Sequence, residues 1–293
     1  MPAMYAHQRF GEIVYAQLTE PVRKRIAPYR KLFDIGLQGP DIFFYHSPIT
    51  WGTFPQYGNR LHGMSGHEFF RSAWILYGRH FGWRPSADAP GGERHSDEGV
   101  PAMATRVYLY GVICHYALDS LCHPCINRID ADGRATHAGV EGDFDRHLLV
   151  KEGKNPVRED VSRGIHPSSS AAAAIEIVYS EADAQAVLRS LRMCVIFQRL
   201  LICKSDTKRN FIYWALRKLG KYESLSPHIM HKEPDPDCTE ADIELDQLFD
   251  EALSMALRMV EQVDAELEAG CPPDIDGRDY DRNFDGETPK IIS

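Results

Sequence analysis

No run of apolar residues in this 293-residue chain is long enough to cross a bilayer; the longest tracts, such as 193–203, are broken by Gln198 and Arg199. The amino-terminal MPAMYAHQRFGEIV lacks a basic segment followed by an apolar run, so no signal peptide is expected there. The seven cysteines fall into no spaced framework, which argues against a disulfide scaffold and leads us to expect a reducing, cytoplasmic setting. An excess of basic residues is also missing. The formal net charge of −9 argues against a general affinity for double-stranded nucleic acid or an anionic membrane surface. Strand-like alternation of useful length is absent, as is any internal repeat, and the expected fold class is therefore all-α.

What is present is ordinary globular material, 43% apolar and 26% charged. The length exceeds a usual single domain but is short for two catalytic ones, so one all-α domain over 1–268 followed by an extended acidic tail over 269–293 is expected. Apolar spacing predicts helices over about 7–18 and, from Pro21, through Val22, Ile26, Tyr29 and Phe33. A turn-rich loop with Asp41 and His46 follows, then a helix over 65–80 and a polar excursion over 84–99. The segment 101–122 is apolar nearly all round, which marks a central buried helix. Pro124 should end it at His123. Further helices are expected over 137–151, 169–180, 181–204, 206–219 and 239–268. The tail from Gly270 should wrap the surface extended, or remain solvated.

The buried helix carries an anomaly: VYLYGVICHYALDSLCHP places His115, Asp119 and His123 four residues apart in apolar surroundings. An ionisable group buried there is costly unless paired or metal-bound. Each helical residue advances about 100°, so these three fall within about 80° of arc and can converge on one cavity. His137 and Glu141 form a second such pair. A lone histidine on an apolar face is more often a hydrogen-bonded core residue, but two pairs and His123 together make a donor set suited to zinc.

With MPAMYAH near the start, GPDIFFYH, RLHG and HAGVEGDFD, this pattern resembles the bacterial zinc-dependent phospholipase C family, and more distantly the trinuclear-zinc single-strand nucleases of the same fold. The resemblance covers about the first 150 residues, and the C-terminal half carries no motif that aligns with it. It implies that Asp41, His62, His115 and Asp119 surround one Zn²⁺, that His123, His137 and Glu141 hold a second, and that Asp119 bridges to a third held by His7. His46 and His67 lie close enough to the Asp41 loop to compete with His62 for its place. Secreted relatives hold the third ion through an N-terminal tryptophan that this chain lacks; Pro2, freed of Met1, offers an amine instead. The resemblance further implies that Asp41 is the catalytic general base for hydrolysis of a phosphodiester, the head group of a phospholipid or a soluble analogue. Zinc would activate the attacking water and polarise the ester. Three carboxylates against two or three zinc ions leave a local charge of about +1 to +3, opposite in sign to the chain as a whole.

Several weaker signals have plainer readings. Cys122 and Cys125 form CHPC, but a redox pair should follow a strand, and here the motif closes a helix. The acidic tail places no glycine at the sixth position of a calcium loop. Asp145 is either a residue that orients a ligand histidine or an exposed helix carboxylate. The Lys/Arg runs of 208–221 read as the wet face of a helix, and neither an exposed apolar loop nor a lipid-binding module is evident. Two rivals to phospholipid hydrolysis remain. A single-strand nuclease needs an aromatic platform, for which Trp51, Phe54 and Tyr57 are candidates. A non-catalytic helical protein would hold structural zinc at a coordinatively closed site.

Overall fold

In a computed structural model that describes residues 4–47, 53–83 and 99–289, the first helices are α1 (Met4–Gln17), α2 (Glu20–Ile26), α3 (Arg30–Gly36), α4 (Thr53–His62) and α5 (Gly66–Phe81). The long α6 (Ala102–Ala131) is followed by α7 (His137–Lys151), α8 (Ser169–Glu176), α9 (Ala184–Leu201), α10 (Asp206–Lys218), the single turn α11 (Tyr222–Leu225) and α12 (Thr239–Glu268). The fold is all-α, and among the described residues the only extended pairing is an isolated bridge between Ser65 and Asn283. The excursion over 84–98, Pro2 and Trp51 lie outside the described residues.

Local chemistry sets most of the boundaries. Ser65 and Glu68 form a reciprocal capping box at the start of α5, and Thr136 accepts from the Gly139 N–H at the start of α7. Asp183 and Ser205 cap α9 and α10 in the same way. Pro28 splits the helical pattern expected from Pro21 to Phe33 into α2, a 3-10 turn (Ala27–Tyr29) and α3. The expected loop around Asp41 is a buried 3-10 helix (Gly39–Tyr45).

α6 is the axis of the molecule, about 45 Å long, with α3 and α12 packed along it. Arg106 anchors α12: its guanidinium, 2% exposed, meets Asp264 at 2.8 Å and Glu268 at 2.7 Å, and Tyr110 donates to Asp264. Such a pair is costly to break from one side, because a buried charge would be left alone. The helix does not end at His123 as its proline leads one to expect. It runs through Pro124 to Ala131, and the Ser120 carbonyl that Pro124 cannot serve accepts instead from Arg282 Nη1 at 3.3 Å.

Arg282 belongs to the C-terminal segment, which is pinned rather than solvated throughout. Ile275, Tyr280 and Phe284 are buried, and residues 282–287 form a strap across α6. Gly286 allows it to sit that close. Its φ is +76°, and a Cβ there would lie 2.4 Å from Pro124 Cγ and 2.7 Å from the Ser120 carbonyl oxygen.

Candidate metal centre

Five elements bring the expected ligands together: α1 carries His7, the 3-10 helix Asp41, α4 His62, α6 the stripe His115, Asp119 and His123, and α7 the pair His137 and Glu141. They form two adjoining groups. In one, donor atoms of His7, Asp41, His115 and Asp119 all lie within 4.8 Å of one another; in the other, so do those of His123, His137 and Glu141. Asp119 stands between them, with Oδ1 3.1 Å from His7 Nε2 and 3.9 Å from His123 Nε2, and Oδ2 3.0 Å from His115 Nε2. His62 lies at the edge of the first group, its Nε2 2.7 Å from Asp41 Oδ1. Neither competitor of His62 reaches the cluster: His46 lies tilted against Phe54, and His67 pairs with Asp276.

The backbone decides which nitrogen each ring presents. Nδ1 of His115 donates to the Leu37 carbonyl at 3.2 Å, that of His62 to Gly58 at 2.8 Å, and that of His123 to Phe284 at 2.6 Å. His137 Nδ1 donates to Asn127 Oδ1 at 3.0 Å. With Nδ1 holding the proton, the Nε2 lone pair of all four points into the cluster, which is how outer hydrogen bonds prepare a metal-ligating histidine. Gly39 lets the 3-10 helix lie against His115, since at φ +47° a Cβ would stand 2.3 Å from the His115 ring.

The structure assigns Asp145 another task. Its carboxylate, 4% exposed, accepts from the backbone N–H groups of Tyr5 at 3.0 Å and Ala6 at 2.7 Å, so it caps α1 and thereby positions His7. The CHPC cysteines sit inside α6 as free thiols, and burial pushes Cys122 well up and Cys125 to about 11, so both stay protonated.

The electrostatics of the cluster call for added positive charge. Burial opposes ionisation of Asp119, but His115, His123 and His7 hold it well below the usual carboxylate range. Glu141 is lowered against burial by His137 and His123. In return His123, disfavoured as a cation by burial, is pushed up to about 10 by Asp119 and Glu141. His7 and His62 are raised against burial as well, by Asp119 and Asp41 respectively.

These donors fit zinc. All are imidazole nitrogens or carboxylate oxygens, and two ligand atoms of a tetrahedral zinc stand about 3.3 Å apart, within the span of the contacts above. Buried His115 Nε2 and Asp119 Oδ2 lie 3.0 Å apart without a hydrogen bond, and Glu141 Oε2 also lacks a hydrogen-bond partner. Orphaned buried donors of this kind are what ligand atoms look like.

The sequence profile described as zinc dependent phospholipase C matches residues 6–225. The chain belongs to that family. No curated protein and no solved structure matches the chain. The phospholipase C match extends well past the motifs, which end near residue 150, and stops before α12 and the strap.

Beside the ligands, a cavity of about 340 Å³ opens past half-buried His137 and is lined by Asp41, Phe44, Asn59, His62, His123, His137, Glu141 and Asp285. Three of these were not read from the sequence. Phe44 and Asn59 stand three residues from Asp41 and His62, a helical spacing that puts them on the same face and could have signalled them. Asp285 had no local signal, being brought in by the strap. The two described members of the expected aromatic platform do not line the cavity: Tyr57 packs on Phe43 and Phe54 on His46, both against the 3-10 helix and its end.

Proposed function

We propose that this protein is a zinc-dependent phosphodiester hydrolase that acts on a phospholipid head group, with Asp41, His62, His115 and Asp119 around one ion and His123, His137 and Glu141 around a second. Asp119 and His7 contribute to a third. The observation that carries this reading is the convergence of five histidines and three carboxylates, seven of the eight nearly excluded from solvent, in two adjoining groups, with Asp41, His62, His123, His137 and Glu141 lining one cavity.

Bound zinc would supply Lewis acidity towards the phosphoryl oxygens and a water acidic enough to ionise near neutral pH. The chain's own residues do the rest. Asp41 reaches the cavity from the buried 3-10 helix and serves as general base. Asn59 offers an amide donor to a phosphate oxygen, Phe44 gives an apolar wall, and Asp285, 43% exposed at the rim, suits a cationic head-group nitrogen.

Elemental analysis of the purified protein, combined with hydrolysis of a choline phosphodiester and of single-stranded DNA, tests this reading in wild type and Asp119→Asn. We expect two or three zinc ions per chain and choline phosphodiester turnover that falls at least about a hundredfold in the variant, beyond the loss seen for outer-shell changes. Absence of stoichiometric metal would sink the proposal. A single closed ion without turnover would establish a structural role, and turnover of DNA alone a nuclease.

A further inference from the structure

Of the eight large apolar side chains that stand exposed among the described residues, five fall within 196–219: Ile196 and Leu200 at the end of α9, and Phe211, Trp214 and Leu219 on or just after α10. α10 buries only Leu216. At about 100° per residue, Phe211, Trp214 and Lys218 share one stripe about 60° wide, facing directly away from Leu216. Phe211 is 64% and Trp214 55% exposed, and their rings stack on each other at 5.9 Å. Two large aromatic faces in water on one stripe are costly unless something covers them.

Charge indicates what does. Residues 204–221 carry six lysines and arginines against one aspartate, in a chain whose formal net charge is −9. Lys204 and Lys218 are exposed, while Lys208 and Arg209 are tied to the Ile202 and Met230 carbonyls and Arg217 lies over the Tyr222 ring. An amphipathic helix with aromatics flanked by lysine is built to lie in a lipid interface, its rings at the level of the head groups and its ammonium groups on anionic ones. The wet-face reading of these basic runs holds for their charges and fails for the rings between them.

We propose that the outer face of α10, with Leu219, is a docking surface for a phospholipid membrane containing anionic lipid. Its purpose, delivery of the catalytic cavity to a lipid surface, rests on the phospholipase C reading above.

Co-sedimentation of the full-length protein with phosphatidylcholine vesicles, with and without phosphatidylserine, tests it without requiring turnover. Wild type should bind the phosphatidylserine vesicles, and added salt should weaken that binding. The double variant Phe211→Ser, Trp214→Ser and the single Lys218→Glu should each weaken it by about tenfold, with circular dichroism and hydrolysis of a soluble phosphodiester unchanged. Lys218→Glu changes only an exposed side chain and keeps the test sound if the double variant unfolds. No binding by wild type, or equal binding by the variants, would overturn the surface. So would dimerisation in sedimentation velocity that the same substitutions abolish, since the rings would then cover each other. Vesicle binding without hydrolysis of any phosphodiester would leave the surface standing and overturn the function instead.

Discussion

Asp119 Oδ1 faces His7 and His123 while Oδ2 faces His115, so one carboxylate addresses both halves of the cluster. The position could only be filled by an acid: three imidazole nitrogens need a shared anion, or a cation that the anion helps to hold. Asp145 acts one layer further out. Its two oxygens take the first free N–H groups of α1, so its removal uncaps the helix that carries His7. Asp145→Ala should cost about 1–2 kcal/mol of unfolding free energy, read by urea denaturation. Asp145→Asn keeps an acceptor and should cost less. The difference between wild type and Asp145→Asn also depends on pH, because burial raises the Asp145 carboxyl to about 7. A raised acid contributes most below its unfolded pKa and loses that contribution as pH rises through the folded one. The gap between wild type and Asp145→Asn should therefore narrow from pH 5 to pH 8, and a constant gap would mean that Asp145 keeps the same charge throughout.

Among the elements, the strap over residues 282–287 ties the histidine–carboxylate cluster to the C-terminal segment. The Phe284 carbonyl fixes the tautomer of His123, and the Phe284 ring lies against His62 at 5.2 Å and His115 at 5.7 Å. Gly286→Val should lift the strap from Pro124, release that carbonyl, and lower zinc affinity by about 10- to 100-fold, as loss of an outer-shell partner does. Competition against a chromophoric chelator measures this independently of turnover; unchanged affinity would mean that the strap only packs. Local signals made most helices readable, since caps and apolar stripes act within a few residues, and α7 and α12 run as their spacing indicates. The candidate ligand pairs of α6 and α7, which the structure brings together, were readable for the same reason. His62 was separable from His46 and His67 only by motif, because the choice depends on where α4 packs. The course of α6 beyond Pro124 was not readable at all. Its compensation comes from Arg282, 162 residues further on, and no window of sequence contains both. Phe284 and Asp285 were missed in the same way, through contacts that exist only after the tail has folded back.

At the scale of the whole molecule, charge is divided into regions that behave differently: an acidic chain, a basic α10, and an interior where three carboxylates face five histidines. No helix among the described residues is long and apolar enough to cross a membrane. The interior cluster should make stability depend on both zinc and pH. In the metal-free protein, His123, raised to about 10, contributes stability that is complete below its unfolded value near 6.5 and lost as pH climbs towards 10. Asp119, held low, contributes above its unfolded value near 4 and loses that contribution as acid protonates it. The metal-free protein should therefore be most stable between about pH 4 and 6.5 as far as this cluster decides. Zinc takes the place of the histidine protons, so binding releases protons and strengthens as pH rises. The Tm difference between zinc-loaded and chelator-stripped protein should be small at pH 6 and widen by pH 9, where most of the stability that protonated His123 contributes to the stripped protein has been lost. Calorimetry at the two pH values measures this directly. A difference that stayed constant would mean that zinc and the histidine protons do not compete, and would place the metal away from His123.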